Sequence, residues 1–175
     1  MRYRLFAGFL VLCTAFAGWS AAEDSAKESL PLEASWRASE TATEKEKRLQ
    51  AIEEATGHLP GFQKKKARSR LLERTSPVPS LAIAVEGSEV TITSGDNRLQ
   101  LELGASPVEI SGGDGQAELS AKMDGPKLIV EADGEKGQRK TVYSVNGDRL
   151  SVEVTMAGAR LAEPVKYVST YTRME

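Results

Sequence analysis

The sequence predicts a mainly β protein: an antiparallel up-and-down meander, closed into a barrel and preceded by a short N-terminal helical pair. Three observations predict this class. From Ser80 onward apolar side chains recur at every second position, the period of strands with one buried face. The alternating runs are separated by glycine, asparagine and aspartate turns too short for crossover helices, so sequential strands pair antiparallel. Before Pro77 the composition is instead charged and helix-forming. A meander of about nine short strands curls or closes, because closure removes exposed edges; a β-sandwich is the alternative arrangement.

The first residues form a leader. Arg2 and Arg4 make a basic start, Leu5 to Ala17 an apolar run, and Ser20-Ala21-Ala22 supplies the small residues that a signal peptidase reads. Residues 1–22 are therefore expected to be a signal peptide cleaved before Glu23, leaving a periplasmic or secreted protein. The apolar run is shorter than the about 20 residues that a spanning helix needs. Leu12 stands before Cys13 where lipoprotein processing requires a small residue, so no lipid is expected there.

Cleavage also changes the chemistry available. The single cysteine leaves with the leader, so the mature chain has no disulfide, thiolate metal site or cysteine nucleophile. His58 is the one histidine, too few for a zinc site or a classical triad. No metal, no cofactor and no enzymatic activity are expected. The formal charge of −2 becomes more negative once Arg2 and Arg4 are removed, and nothing global points to nucleic acid.

Residues 23–40 show little periodicity and read as an irregular arm, with Trp36 as its docking anchor. Residues 41–76 form the helical segment. Thr41 and Glu44 have capping-box spacing, repeated by Thr43 and Glu46, and a first helix with Leu49 and Ile52 on one face ends at Gly57. After the turn His58-Leu59-Pro60-Gly61, a second helix runs from Phe62 to Arg74 with Leu71 and Leu72 inward, until Pro77 and Pro79 stop it. Its basic face holds Lys64, Lys65, Lys66, Arg68 and Arg70, with Arg74 beyond and Glu73 opposing. Such a face can meet anionic lipid headgroups beside Phe62. The preferred reading is a solvated surface, because no recognition motif accompanies the charge.

Residues 80–173 make the β domain. Leu81, Ile83 and Val85 alternate, Glu86-Gly87-Ser88 turns the chain, and Val90 and Ile92 resume. Leu99, Leu101 and Leu103 follow Asp96-Asn97, then Val108 and Ile110. The glycine-rich Ser111 to Gly115 lacks the spacing of a phosphate loop and reads as a hairpin loop. Leu119 with Ala121 and Met123, Leu128 with Val130 and Ala132, and Thr141-Tyr143-Val145 continue the ladder. Asn146-Gly147 predicts a two-residue type I′ hairpin; Leu150, Val152, Val154 and Met156 come next, and Val165, Tyr167 and Tyr171 share one phase of a last strand.

The run Thr141-Val142-Tyr143, the run Asn146 to Val154 and the run Pro164 to Arg173 together resemble the closing strands of lipocalin-like and fatty-acid-binding-like barrels, the calycins. The likeness extends to exported bacterial members in which a helical stretch precedes the sheet, and it covers Ser80 to Arg173. It implies a lipocalin-like barrel whose lumen takes an apolar small molecule. Fatty-acid-binding-like proteins place a carboxylate-holding arginine two residues before the last-strand tyrosine; Ser169 stands there in this chain. Lipocalins carry Gly-x-Trp near the first strand, where this chain offers Ala34-Ser35-Trp36.

The leading functional expectation is an exported binding module that carries or senses an apolar small molecule or lipid. Its expected lining includes Leu101, Leu119, Val130, Tyr143, Val152, Tyr167 and Tyr171. The alternative is an envelope protein whose barrel is filled by these same side chains and which meets a protein or membrane surface through its basic helical face. An enzyme using carboxylate or tyrosine chemistry ranks third.

Overall fold

In the computed structural model, which describes residues 31–112 and 115–174, one antiparallel sheet of ten strands curls into a nearly closed barrel. The chain runs β1 (Ala34–Ala38), α1 (Ala42–Thr56), α2 (Gly61–Thr75), β2 (Ser80–Glu86), β3 (Glu89–Ser94), β4 (Asn97–Glu102) and β5 (Val108–Gly112). It continues through β6 (Gly115–Asp124), β7 (Lys127–Gly134), β8 (Gly137–Asn146), β9 (Arg149–Ala157) and β10 (Val165–Arg173). The order across the sheet is β4-β3-β2-β1-β10-β9-β8-β7-β6-β5. The first and last strands are thus neighbours, and the sheet is made of two meanders, β2 to β4 and β5 to β10, whose strands β4 and β5 do not pair with each other. The expected signal peptide and the first residues of the expected arm lie outside the described residues.

Closure occurs at one point. β4 and β5 are the ends of the sheet, and beyond β4 Leu103 makes a parallel bridge to Ala121 of β6, with the Gly104 N–H donating to the Ala121 carbonyl at 2.8 Å. From there β4 and β5 diverge. The apolar side chains of β5 pay no heed to burial: Val108 is 50% and Ile110 41% exposed, although their partners Leu119 and Ala117 lie on the lumen-facing side.

Two parts of the sequence reading need correction. In the described part of the arm Ala34–Ala38 is strand β1, and the helical pair is inserted between β1 and β2 rather than placed before the whole sheet. Trp36 belongs to this strand. Its register partners are Arg173 on β10 and Leu81 on β2, its indole N–H donates to the Leu32 carbonyl at 3.3 Å, and the Arg173 guanidinium lies 4.7 Å from its ring centroid. Fully buried, it anchors the junction of β1 with β2 and β10.

The hairpin before β9 is also displaced by one residue. Asn146 pairs with Arg149, so the loop residues are Gly147 and Asp148. Gly147, with φ of 59°, takes the first central position, where both two-residue hairpin turns require a positive φ. Gly125-Pro126 repeats the pattern between Asp124 and Lys127, with Gly125 at φ 55°; proline at the second position enforces the negative φ that II′ requires there.

The helices form where their caps dictate. Thr41 Oγ1 accepts from the Glu44 N–H at 3.2 Å while Glu44 Oε2 accepts from the Thr41 N–H at 2.7 Å, the reciprocal box the spacing predicts. The other Glu44 oxygen accepts from the Thr170 hydroxyl of β10, tying the helix start to the barrel wall. Burial pushes the Glu44 carboxyl up, but the hydrogen bonds from Thr170 and Thr41 outweigh it and leave its pKa lowered. The buried face of α1 is Arg48, Ile52, Ala55 and Thr56, with Leu49 only at its margin. Arg48 is admitted because Glu40 holds it at 3.0 and 3.1 Å and Thr75 of α2 lies at 3.4 Å. That triangle joins α1, α2 and the end of β1.

Candidate functional site

Alternation along each strand and register between strands assemble the lumen wall in rows. The first runs Met123, Leu128, Tyr143, Val152 and Ser169 across β6 to β10. The next runs Ala121, Val130, Thr141, Val154 and Tyr167, and a third runs Leu119, Ala132, Arg139, Met156 and Val165. Tyr171 pairs with Leu150 beyond the first row.

The seven expected lining residues all join this core. Leu101, Leu119, Val130, Val152, Tyr167 and Tyr171 are buried, with exposures of 4–8%, which means that side chains fill much of the barrel. Tyr143 differs. Burial pushes its phenol pKa up, while its own surface is only partly covered. Leu99, Met123 and Met156 are likewise lumen-facing and partly covered.

Tyr167 and Tyr171 approach the same region from β10. Burial pushes both phenols up, Tyr171 to about 12 despite an opposing hydrogen bond with the Val78 backbone, and each of these two feels neighbouring phenols or the Glu40 carboxylate. Between them Ser169 is 3% exposed and its Oγ has no hydrogen-bond partner. The interior therefore offers hydroxyl groups without charge. Arg48, the buried cation nearby, is neutralised by Glu40.

A lumen-phase cation escaped the sequence reading. Arg139 precedes Thr141 by two residues and shares its face; it is exposed, and its charge reaches Tyr143 and Tyr167. With Ile110, Ala117 and Ala132 it marks a mouth on the β5–β8 side, where inward-phase residues meet solvent. The signal for it was the unbroken alternation Arg139-Thr141-Tyr143-Val145; starting that run at Thr141 hid it. Outside the barrel, a cleft of about 480 Å³ lies over β6 to β9 against Pro107, Glu118, Ser120, Glu131, Lys140 and Thr155. It is charged, and Glu131 there bonds Lys122 at 3.1 Å and Lys140 at 3.3 Å.

The basic face is divided. Lys64 and Arg68 turn toward α1 and pair with Glu53 at 2.5 and 3.2 Å. Lys65, Lys66 and Arg70 are exposed on the other side of α2, beside Phe62, which is 81% exposed. His58 is exposed at the helix connection. Among the described residues no three His, Cys, Asp or Glu side chains gather as a metal site.

No protein-family model matches the chain, and no curated protein matches it. Solved structures do. Secretory abundant heat soluble protein 4 from Ramazzottius varieornatus superposes with a TM-score of 0.54 at 15% identity, covering 83% of this chain and 96% of that one. The REP1-NXSQ fatty acid transporter gives 0.51 at 15% identity, over 82% and 96%. Fatty-acid-binding protein 1 of Echinococcus granulosus gives 0.50 at 16% identity, over 82% and 97%. The chain thus has the calycin-like fold that its closing strands resemble, over nearly the whole length of each of these structures.

Proposed function

We propose that the protein is an exported, periplasmic or secreted, carrier or sensor of an apolar small molecule or lipid held in the barrel lumen. The observation that carries this reading is the inward wall of the barrel, aliphatic rows with the Tyr143, Tyr167 and Tyr171 phenols among them, next to inward-phase residues Ala117, Ala132 and Tyr143 that are only partly covered. A dry apolar wall with a few convergent hydroxyls is the usual make-up of a small-molecule site. Likeness in fold to a fatty acid transporter and a fatty-acid-binding protein supports the same class of ligand. Binding, not catalysis, is the expected activity. Native mass spectrometry of protein purified from its own host tests the reading: a discrete added mass, lost on delipidation, is expected, and the processed chain without residues 1–22 is expected beside it. A protein that copurifies with nothing and takes up no apolar probe after delipidation refutes it.

A second reading is favoured by Phe62. A phenylalanine 81% exposed beside Lys65 and Lys66 suits a peripheral contact with an anionic membrane, aromatic ring at the headgroup level and cations around it. Sedimentation with phosphatidylglycerol vesicles, abolished by Phe62→Ala, is the expected result under that reading.

A further inference from the structure

Strand β5 ends the sheet. It pairs with β6 without a break, from Val108 opposite Leu119 to Gly112 opposite Gly115, and no strand of the described chain lies on its other side. The direction of its free backbone groups follows from β6. The Ala121 carbonyl there accepts from the Gly104 N–H, so Ala121, and with it Leu119 and Ala117, turn their backbone groups toward the β5 side. Bonding direction alternates along a strand. Val108 and Ile110, opposite Leu119 and Ala117, therefore bond to β6, whereas the N–H and C=O groups of Glu109 and Ser111 point to the open edge.

Exposed edges are ordinarily guarded by lysine, proline or a bulge. Val108 to Gly112 has none of these. Among the described residues four large apolar side chains are exposed, and two of them, Val108 and Ile110, stand on one face of this strand. Its other face is acidic. Glu109 lies directly opposite Glu118, and Glu118 opposite Asp133, all three exposed. Like charges so placed destabilise a sheet, and Lys122 of β6 and Lys140 of β8 bond Glu131 instead. A hollow of about 340 Å³ beside the three carboxylates leaves room for long side chains.

We propose that the β5 edge is a docking site for an extended segment of a partner protein, with alternating basic and apolar residues, that joins the sheet as an added strand. Its backbone pairs with Glu109 and Ser111, its apolar side chains cover Val108 and Ile110, and its cations meet the row of Glu109, Glu118 and Asp133. Charge decides for this occupant over a second copy of the chain, because two β5 edges paired together would set two acidic rows side by side. The site stands apart from the lumen-binding reading and does not depend on it.

Fluorescence anisotropy of a labelled peptide of alternating lysine and valine, titrated with the processed protein at low ionic strength, tests it. Saturable binding is expected. A peptide with glutamate in place of lysine should not bind, and neither should one N-methylated at the backbone of each lysine, which keeps the charge but cannot pair. Glu109→Lys should weaken binding about fivefold. Ser111→Pro, which removes an N–H from the free edge and no bond to β6, should weaken it as well, with the Tm of both variants near that of the parent. An N-methylated or glutamate peptide that binds as tightly as the lysine peptide reduces the contact to something other than charged strand pairing and overturns the inference. No binding of the lysine peptide overturns it too; where sedimentation then shows a dimer that Ser111→Pro abolishes, the occupant of the edge is a second copy.

Discussion

Enlarging one side chain at two depths of the barrel separates packed wall from open mouth. Val152 is 8% exposed, flanked across the sheet by Tyr143 and Ser169. Val152→Phe forces additional carbons into a region that is filled on the Leu150 and Val154 sides, and overpacking of this kind costs about 1–3 kcal/mol. For a chain of this length each kcal/mol lowers Tm by about 2–4 °C. Ala132 lies in the mouth row beside Arg139 and is only partly covered, so Ala132→Phe has solvent to expand into and should stay within about 0.5 kcal/mol of the parent. Its ring nevertheless crosses the way into the lumen. Urea and thermal unfolding measured beside probe uptake should thus show loss of stability in the first variant, and slowed uptake at unchanged stability in the second. A Val152→Phe protein as stable as the parent, with Ala132→Phe taking up probe at the parental rate, would refute the placement of both the packed wall and the mouth.

Other perturbations follow from the charged and hydroxyl groups. Glu40→Gln leaves Arg48 buried without its counter-charge, for which about 3–5 kcal/mol of destabilisation is expected in chemical unfolding; Arg48→Met with Glu40→Gln should recover part of it. Tyr171, with its folded pKa pushed from 10.0 to about 12, contributes stability that is complete below pH 10 and lost as pH rises toward 12, so Tyr171→Phe should flatten the alkaline limb of a Tm-versus-pH curve. Glu44 has the opposite sign: its lowered pKa contributes stability above the ordinary 4.5 that is lost as pH falls below it, and Thr170→Val should reduce that acid dependence. Replacing Lys65 and Lys66 with glutamate should leave Tm almost unchanged, since exposed charges contribute little singly.

The period-two pattern exposed nine strands because each buries one face that a neighbour in sequence also buries. β1 escaped the same test. Its lumen-phase residues are Ala34, Trp36 and Ala38, and two small side chains give little amplitude against Ser35 and Arg37; what makes it a strand is pairing with β10 at the far end of the chain, Trp36 opposite Arg173. Only contact over that separation distinguishes it from an arm. The helix starts were legible because a capping box is local, whereas the burial of Arg48 was not, because Glu40 and Thr75 come to it from opposite ends of the helical pair. For the lining, alternation gave the correct face at all seven expected positions, but volume is a property of several strands at once. That Tyr143 is only partly covered while Val152 beside it is buried is set by closure and by the tilt of side chains, which no single strand's sequence encodes.

The same separation of local and collective information explains where charge sits in the barrel. Bringing an ion into a low-dielectric interior costs several kcal/mol unless a partner meets it. Arg48 meets that condition with Glu40, and Arg139 avoids the cost by remaining at a mouth open to solvent. Between these two cations the described interior is served by hydroxyls, the three phenols with Ser169 and Thr141. A site built for an anionic head would place a cation at the inner end of the lumen, where desolvation makes each ion pair specific. This chain instead places the inward-phase Arg139 at the rim, where it can attract an anionic surface or a charged ligand without holding either. Under the proposed function retention would depend on apolar contact along the rows, so affinity should vary little with salt while the rate of approach varies more.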